Sequence, residues 1–82
     1  MSGGSKELAP WPPELTRRER QIAELICAGK RRREIVAALE IAPTTFDSHR
    51  YAIMAALGVA NEVQLVRKAL AHGWVRGDAP PK

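Results

Sequence analysis

Aromatic side chains are scarce in this sequence of 82 residues: one Phe, one Tyr and two Trp make up 5% of it, so Leu, Ile, Val and Ala must fill the core. A chain this short forms one domain with limited burial. A single cysteine, Cys27, excludes an internal disulfide and fits a reducing compartment. It lies within an apolar helical pattern, where a small core residue is expected in preference to a reactive thiol. No stretch approaches the roughly 20 apolar residues of a membrane span, and no apolar h-region follows the charges near the N-terminus, so a soluble, intracellular protein is expected. Internal repeats and strand-like alternation are also missing, whereas several segments have a period of 3.6 residues, which points to an all-α domain of three or four short helices. Catalytic patterns are absent too. Ser48 and His49 are adjacent, hence about 100° apart on a helix and unable to form a dyad. Cys27, His49 and His72 lack the spacing of a zinc site, and there is no Gly-rich phosphate loop. No enzyme and no cofactor are expected.

The most informative stretch is I-V-A-A-L-E-I-A-P-T-T-F-D-S-H-R-Y-A-I-M-A-A-L at residues 35–57. Two apolar helical patterns are separated there by Glu40, Ile41 and Ala42, and Pro43 is a residue favoured at the first position of a helix. This is the pattern of a helix-turn-helix. On a wheel of 100° per residue, Phe46, His49, Ile53 and Leu57 share one side of the second helix, and Thr44, Asp47, Ser48, Tyr51 and Ala55 share the other. Short hydroxylic residues with one Tyr make a poor core and a plausible face for the DNA major groove, which admits one α-helix. The same polar face would also suit any surface helix of a small bundle.

The balance of 13 Lys and Arg against 9 Asp and Glu, a net charge of +4, suits a polyanionic partner without requiring one. Its distribution says more: Arg17, Arg18, Arg20 and the run from Lys30 to Arg33 precede the second helix of the pair, and Arg50, Arg67, Lys68 and Arg76 follow. Such a run is often a solvated face. At a helix N-terminus, where amides and dipole already favour an anion, phosphate contact is the stronger expectation.

In chain order, Gly3, Gly4, Pro10, Pro12 and Pro13 exclude regular helix before Leu15, so residues 1–14 are expected to be a flexible arm; Met1 to Gly4 carries no weight in the fold. Trp11 either folds back onto the bundle or stays exposed for a partner. Thr16 and Glu19 form a capping box that opens a first helix running to about Ala28, with Ile22, Leu25 and Ile26 inward and Gly29 as its stop. Ile35, Ala38 and Leu39 are the inward positions of the second helix. The third spans residues 43–57 and ends at Gly58. Asn61 and Gln64 cap a fourth, with Val63, Val66 and Leu70 inward and Gly73 closing it. Trp74 and Val75 are expected to cover the end of the bundle, His72 to sit near the helix dipole, and residues 76–82 to form a disordered tail whose Arg-Gly-Asp triplet is fortuitous.

The segments L-T-R-R-E-R-Q-I-A-E-L-I-C-A-G at residues 15–29, Glu34-Ile35, L-x-I ending at Ile41, Thr45, H-R-x-x-I from His49 to Ile53, L-G-V-x-N ending at Asn61, and Leu65-Val66-Arg67 together resemble the LuxR-type helix-turn-helix family, which includes GerE-like and NarL-like regulators. The resemblance covers residues 15–75 and implies an all-α, four-helix DNA-binding domain of a transcriptional regulator. The third helix would enter the major groove of double-stranded DNA. Asp47, Ser48 and Tyr51 match base-contact positions, and Arg32, Arg33, Thr44 and Thr45, with Arg50 added, match phosphate contacts. The fourth helix would supply a homodimer contact through Val63, Val66, Arg67 and Leu70, with recognition helices about one DNA turn, roughly 34 Å, apart. RNA polymerase or another regulator would be the protein partner, in the bacterial cytoplasm at the nucleoid. A stand-alone regulator is expected.

Several positions depart from the family's pattern. Asp47 stands where Lys is usual, Ala52 where Asn is, and Ala56 where Lys is, while Arg31 and Ala42 replace capping Ser. Each absent cap would cost on the order of 1 kcal/mol. A carboxylate facing the groove repels phosphate, although it can accept from cytosine N4. These departures keep a second function open: an adaptor or antiactivator with the same fold, docking a partner protein on Ala52, Ala55 and Ala56 beside Tyr51 and Met54.

Overall fold

A computed structural model describes residues 8–76 of the chain. Four helices follow one another: α1 (Arg17–Cys27), α2 (Arg32–Leu39), α3 (Pro43–Leu57) and α4 (Glu62–His72). No strand occurs among the described residues. The expectations for the C-terminal tail, apart from the exposed Arg76, and for residues 1–7 lie outside them.

Local chemistry sets the helix starts. Thr16 Oγ1 accepts from the Glu19 amide at 3.1 Å while Glu19 Oε1 accepts from the Thr16 amide at 3.0 Å, so the capping box forms as expected. Asn61 Oδ1 accepts from the Gln64 amide at 2.9 Å, and Gln64 Oε1 reaches back to the Ala60 amide at 2.8 Å. Arg31 has no acceptor to offer α2, but its own amide donates to Glu34 Oε1 at 2.7 Å, which supplies half of a capping box. Ala42 gives α3 no side-chain cap, and Pro43 stands at its first turn.

All four helices end in the same paired arrangement of backbone bonds. In α1, Lys30 N–H donates to Leu25 O and Gly29 N–H to Ile26 O; in α2, Ile41 N–H donates to Val36 O and Glu40 N–H to Ala37 O. The left-handed residue is Gly29, Gly58 or Gly73 in three of them, but in α2 it is Glu40, with φ +56°. The turn between α2 and α3 is therefore made by a residue whose Cβ opposes it. Lys68 Nζ donates to Leu57 O at 2.8 Å, so α4 also satisfies the end of α3 with a cation.

Helix α1 is the hub, packing against α2, α3 and α4 through Ile22, Ala23 and Ile26, all buried. Ile35 of α2, Phe46, Ile53 and Leu57 of α3, and Leu65 and Ala69 of α4 complete the centre. His49 is half-buried on the back of α3, with Nδ1 3.9 Å from Glu19 Oε2. Cys27 is partly buried, and burial together with Glu24 pushes its thiol up to about 11, which suits an inert core residue.

Four side-chain placements are corrected. In α2, Ala38 is exposed and Val36 is half-buried, because Ile35, Val36 and Leu39 form the flank that meets α1 and α3. In α4, Val63 and Leu70 face solvent at 60% and 42% exposure, Val66 is intermediate, and Leu65 and Ala69 are fully buried. The apolar residues of α4 cover more than one stripe, and contact with α1 selects the Leu65 side. In α3, Met54 joins the core at 6% exposure, which removes it from the docking surface considered beside Tyr51.

The packed unit also starts earlier than residue 15. Trp11 is 7% exposed and Leu15 4%, and Ala9 N–H donates to Gly73 O at 2.7 Å. Trp11 thus folds back onto the bundle and packs against Trp74, so residues 8–14 are not a free arm. His72 stacks on the same Trp74 indole, with centroids 4.8 Å apart and planes 15° apart.

Candidate nucleic-acid interface

The side of α3 opposite Phe46, Ile53 and Leu57 presents Thr44, Thr45, Asp47, Ser48, Tyr51 and Ala55, all exposed. The amphipathic wheel requires this: a helix whose apolar stripe is anchored to α1 must turn its remaining residues outward. Tyr51 is 76% exposed, a large rigid ring with a polar tip held out from the helix. The turn from Glu40 to Ala42 joins the end of α2 to the start of α3, and contact with Asp47 brings Arg32, in the first turn of α2, to the edge of that face.

The predicted base-contact and phosphate-contact sets meet in one ion pair. Arg32 Nε donates to Asp47 Oδ1 at 2.9 Å and Nη2 to Asp47 Oδ2 at 2.9 Å, a bidentate clip between α2 and α3. Each partner perturbs the other: the hydrogen bonds from Arg32 hold the Asp47 carboxyl below its usual range, and Asp47 raises the guanidinium further. A second clip has the same form. Arg50 Nε donates to Glu62 Oε2 at 2.6 Å and Nη2 to Oε1 at 2.9 Å, joining α3 to the first turn of α4 and lowering the Glu62 carboxyl.

Both clips border one open cavity of about 280 Å³, with buried Ile26, Ile35 and Phe46 as its floor and Lys30 on its rim. Asp47 also feels Arg50 electrostatically, so the four side chains form an alternating row of charge across three helices. Glu62 was not among the residues expected at the site. Nothing local could have indicated it, because its partner lies 12 residues away on another helix. Arg33, Thr44 and Thr45 are exposed, and Ala42 leaves the first amides of α3 without a side-chain acceptor. The proposed dimer residues Val63, Val66, Arg67 and Leu70 lie on α4, with Val63, Arg67 and Leu70 turned to solvent and Val66 partly so.

A profile described as "Bacterial regulatory proteins, luxR family" matches residues 13–69. The chain belongs to the LuxR family of bacterial regulatory proteins. Its fold is the LuxR-type DNA-binding helix-turn-helix, α2 and α3 being the helix pair, and the family is one of transcription regulators rather than enzymes. Similar proteins include Transcriptional regulatory protein UhpA of Escherichia coli strain K12, 45% identical over 60 residues that make up 73% of this chain and 30% of UhpA. Transcriptional regulatory protein MctR of Rhizobium johnstonii is 43% identical over 61 residues, 74% of this chain and 28% of MctR. Uncharacterized response regulatory protein YgeK of E. coli K12 is 38% identical over 60 residues, 73% of this chain and 41% of YgeK. The chain thus matches less than half the length of these relatives. Among its described residues no helix is long and apolar enough to cross a membrane.

Proposed function

We propose that this LuxR-type domain regulates transcription by placing α3 in the major groove of double-stranded DNA. Ser48 and Tyr51 face the base edges with Asp47 beside them, while Arg32, Arg33, Thr44, Thr45 and Arg50 lie toward the phosphates. The observation that carries this reading is the division of α3. Phe46, Ile53, Met54 and Leu57 are committed to the core, and the face left outside is small and hydroxylic around one projecting Tyr. With Met54 buried, too little apolar surface remains on that face to favour a protein-docking role.

Two copies would bind together, pairing through Val63, Val66, Arg67 and Leu70, with RNA polymerase or a further regulator as the protein contact in the bacterial cytoplasm at the nucleoid. Action as a stand-alone regulator is part of the proposal.

The test is fluorescence anisotropy with genomic duplexes at two salt concentrations. Affinity is expected to fall steeply with salt, and Arg33→Ala to weaken binding to every sequence while lowering the salt slope by about 1. Tyr51→Ala is expected to cost about 1–3 kcal/mol on a preferred duplex only. Binding that ignores salt, or a Tyr51→Ala protein with unchanged sequence preference, would overturn the assignment.

A further inference from the structure

We infer that Asp47 acts on DNA through Arg32: it is a positioning residue that fixes the guanidinium so that the edge formed by Nη1 and Nη2 meets two side-by-side acceptors on the duplex. This rests on the DNA-binding reading above and assigns Asp47 a different task from direct base contact.

The geometry carries the argument. A guanidinium has five N–H donors in a rigid planar fork. Asp47 takes the Nε–H and one Nη2–H with both of its oxygens at 2.9 Å, which leaves one proton of Nη1 and one of Nη2 along the neighbouring edge. That edge alone suffices for a second bidentate contact, either to two phosphate oxygens or to O6 and N7 of guanine. Asp47 is, besides, the one hydrogen-bond partner of the Arg32 side chain among the described residues.

The clip is too exposed to serve stability, with the two side chains 54% and 53% accessible, and surface pairs of this kind contribute little to folding. What it does alter is freedom. A long Arg at the first turn of α2 would otherwise sample many rotamers; tied to α3, its head stays at Asp47, on the edge of the recognition face. The ordering that binding would demand is completed in advance. Asp47 also lowers the net charge of that face, so the two effects oppose each other and predict opposite signs of coupling.

A double-mutant cycle on the 82-residue protein decides between them, with anisotropy measured on a duplex enriched from a random-sequence library and on a scrambled duplex. If Asp47 positions Arg32, Arg32→Ala weakens binding to the enriched duplex about tenfold in the presence of Asp47 and less than about threefold in an Asp47→Ala background. The scrambled duplex separates the two acceptors: an equal loss on both duplexes identifies phosphate, and a loss confined to the enriched one identifies guanine. Either supports the inference. Additive effects, or a larger Arg32→Ala effect once Asp47 is removed, would overturn it, the latter making Asp47 a mere electrostatic competitor.

A readout without DNA keeps this separate from the function itself. The Arg32 Nε–H resonance must be protected from exchange and lose that protection in Asp47→Ala. A wild-type signal that exchanges freely defeats the clip while DNA binding stands. Should the wild-type protein bind neither duplex, the DNA reading falls and the inference falls with it.

Discussion

The indole of Trp11 lies 5.0 Å from that of Trp74, with the ring planes inclined by 31°, so residues near the two ends of the described chain close the core together. A tilted aromatic pair of this kind adds to the area that it buries. Trp11→Ala is therefore expected to destabilise the domain by about 3 kcal/mol. These are the only tryptophans of the sequence, so intrinsic fluorescence during urea unfolding reads the closure directly. An unchanged midpoint would mean that the segment before α1 is dispensable.

Glu40 occupies the left-handed conformation that ends α2, where the other three helices use glycine. Relief of that strain outweighs the extra unfolded-state entropy of glycine, so Glu40→Gly is expected to stabilise the fold by about 0.5–1 kcal/mol. The readout is the thermal midpoint, which should rise by a few degrees.

Val63 and Leu70 project from α4 without belonging to the core, so replacing both by Glu should leave the thermal midpoint of the monomer nearly unchanged. If α4 pairs two copies on DNA, the double variant is expected to bind a single half-site like the parent and to lose the gain in affinity from a second half-site one turn away. Sedimentation of the complexes distinguishes one copy from two.

The Glu62 and Glu34 carboxyls are each held below the usual range, Glu62 by the Arg50 side chain and Glu34 by the Arg31 amide. A folded value below the unfolded one means that the stabilisation is present above the unfolded value, near pH 4, and is lost as pH falls through the folded value. Urea midpoints are expected to hold from neutral pH to about pH 5 and then to fall. Glu62→Gln should flatten part of that acid limb, and an identical limb in the variant would refute its contribution.

Much of this molecule was legible residue by residue. The Thr16–Glu19 box, the Asn61–Gln64 cap and the glycines after α1, α3 and α4 act within a few positions of themselves, so spacing alone located the helices. The back of α3 was legible for the same reason, since Phe46, Ile53 and Leu57 repeat with the helix. The inward flank of α4 was not. Its apolar residues span more than one stripe, and contact with α1 chose Leu65 and Ala69 over Val63 and Leu70.

The sequence by itself therefore determined the number, order and ends of the helices, the family, and the polar face of α3, because each depends on local bonding, periodicity or motif spacing. Tertiary structure alone decided that Arg32 meets Asp47, that Arg50 meets Glu62 and that Trp11 meets Trp74. These partners are many positions apart, and only the packing of helices around α1, where burial of Ile22 and Ala23 fixes the relative placement of its neighbours, brings opposite charges and aromatic rings within reach.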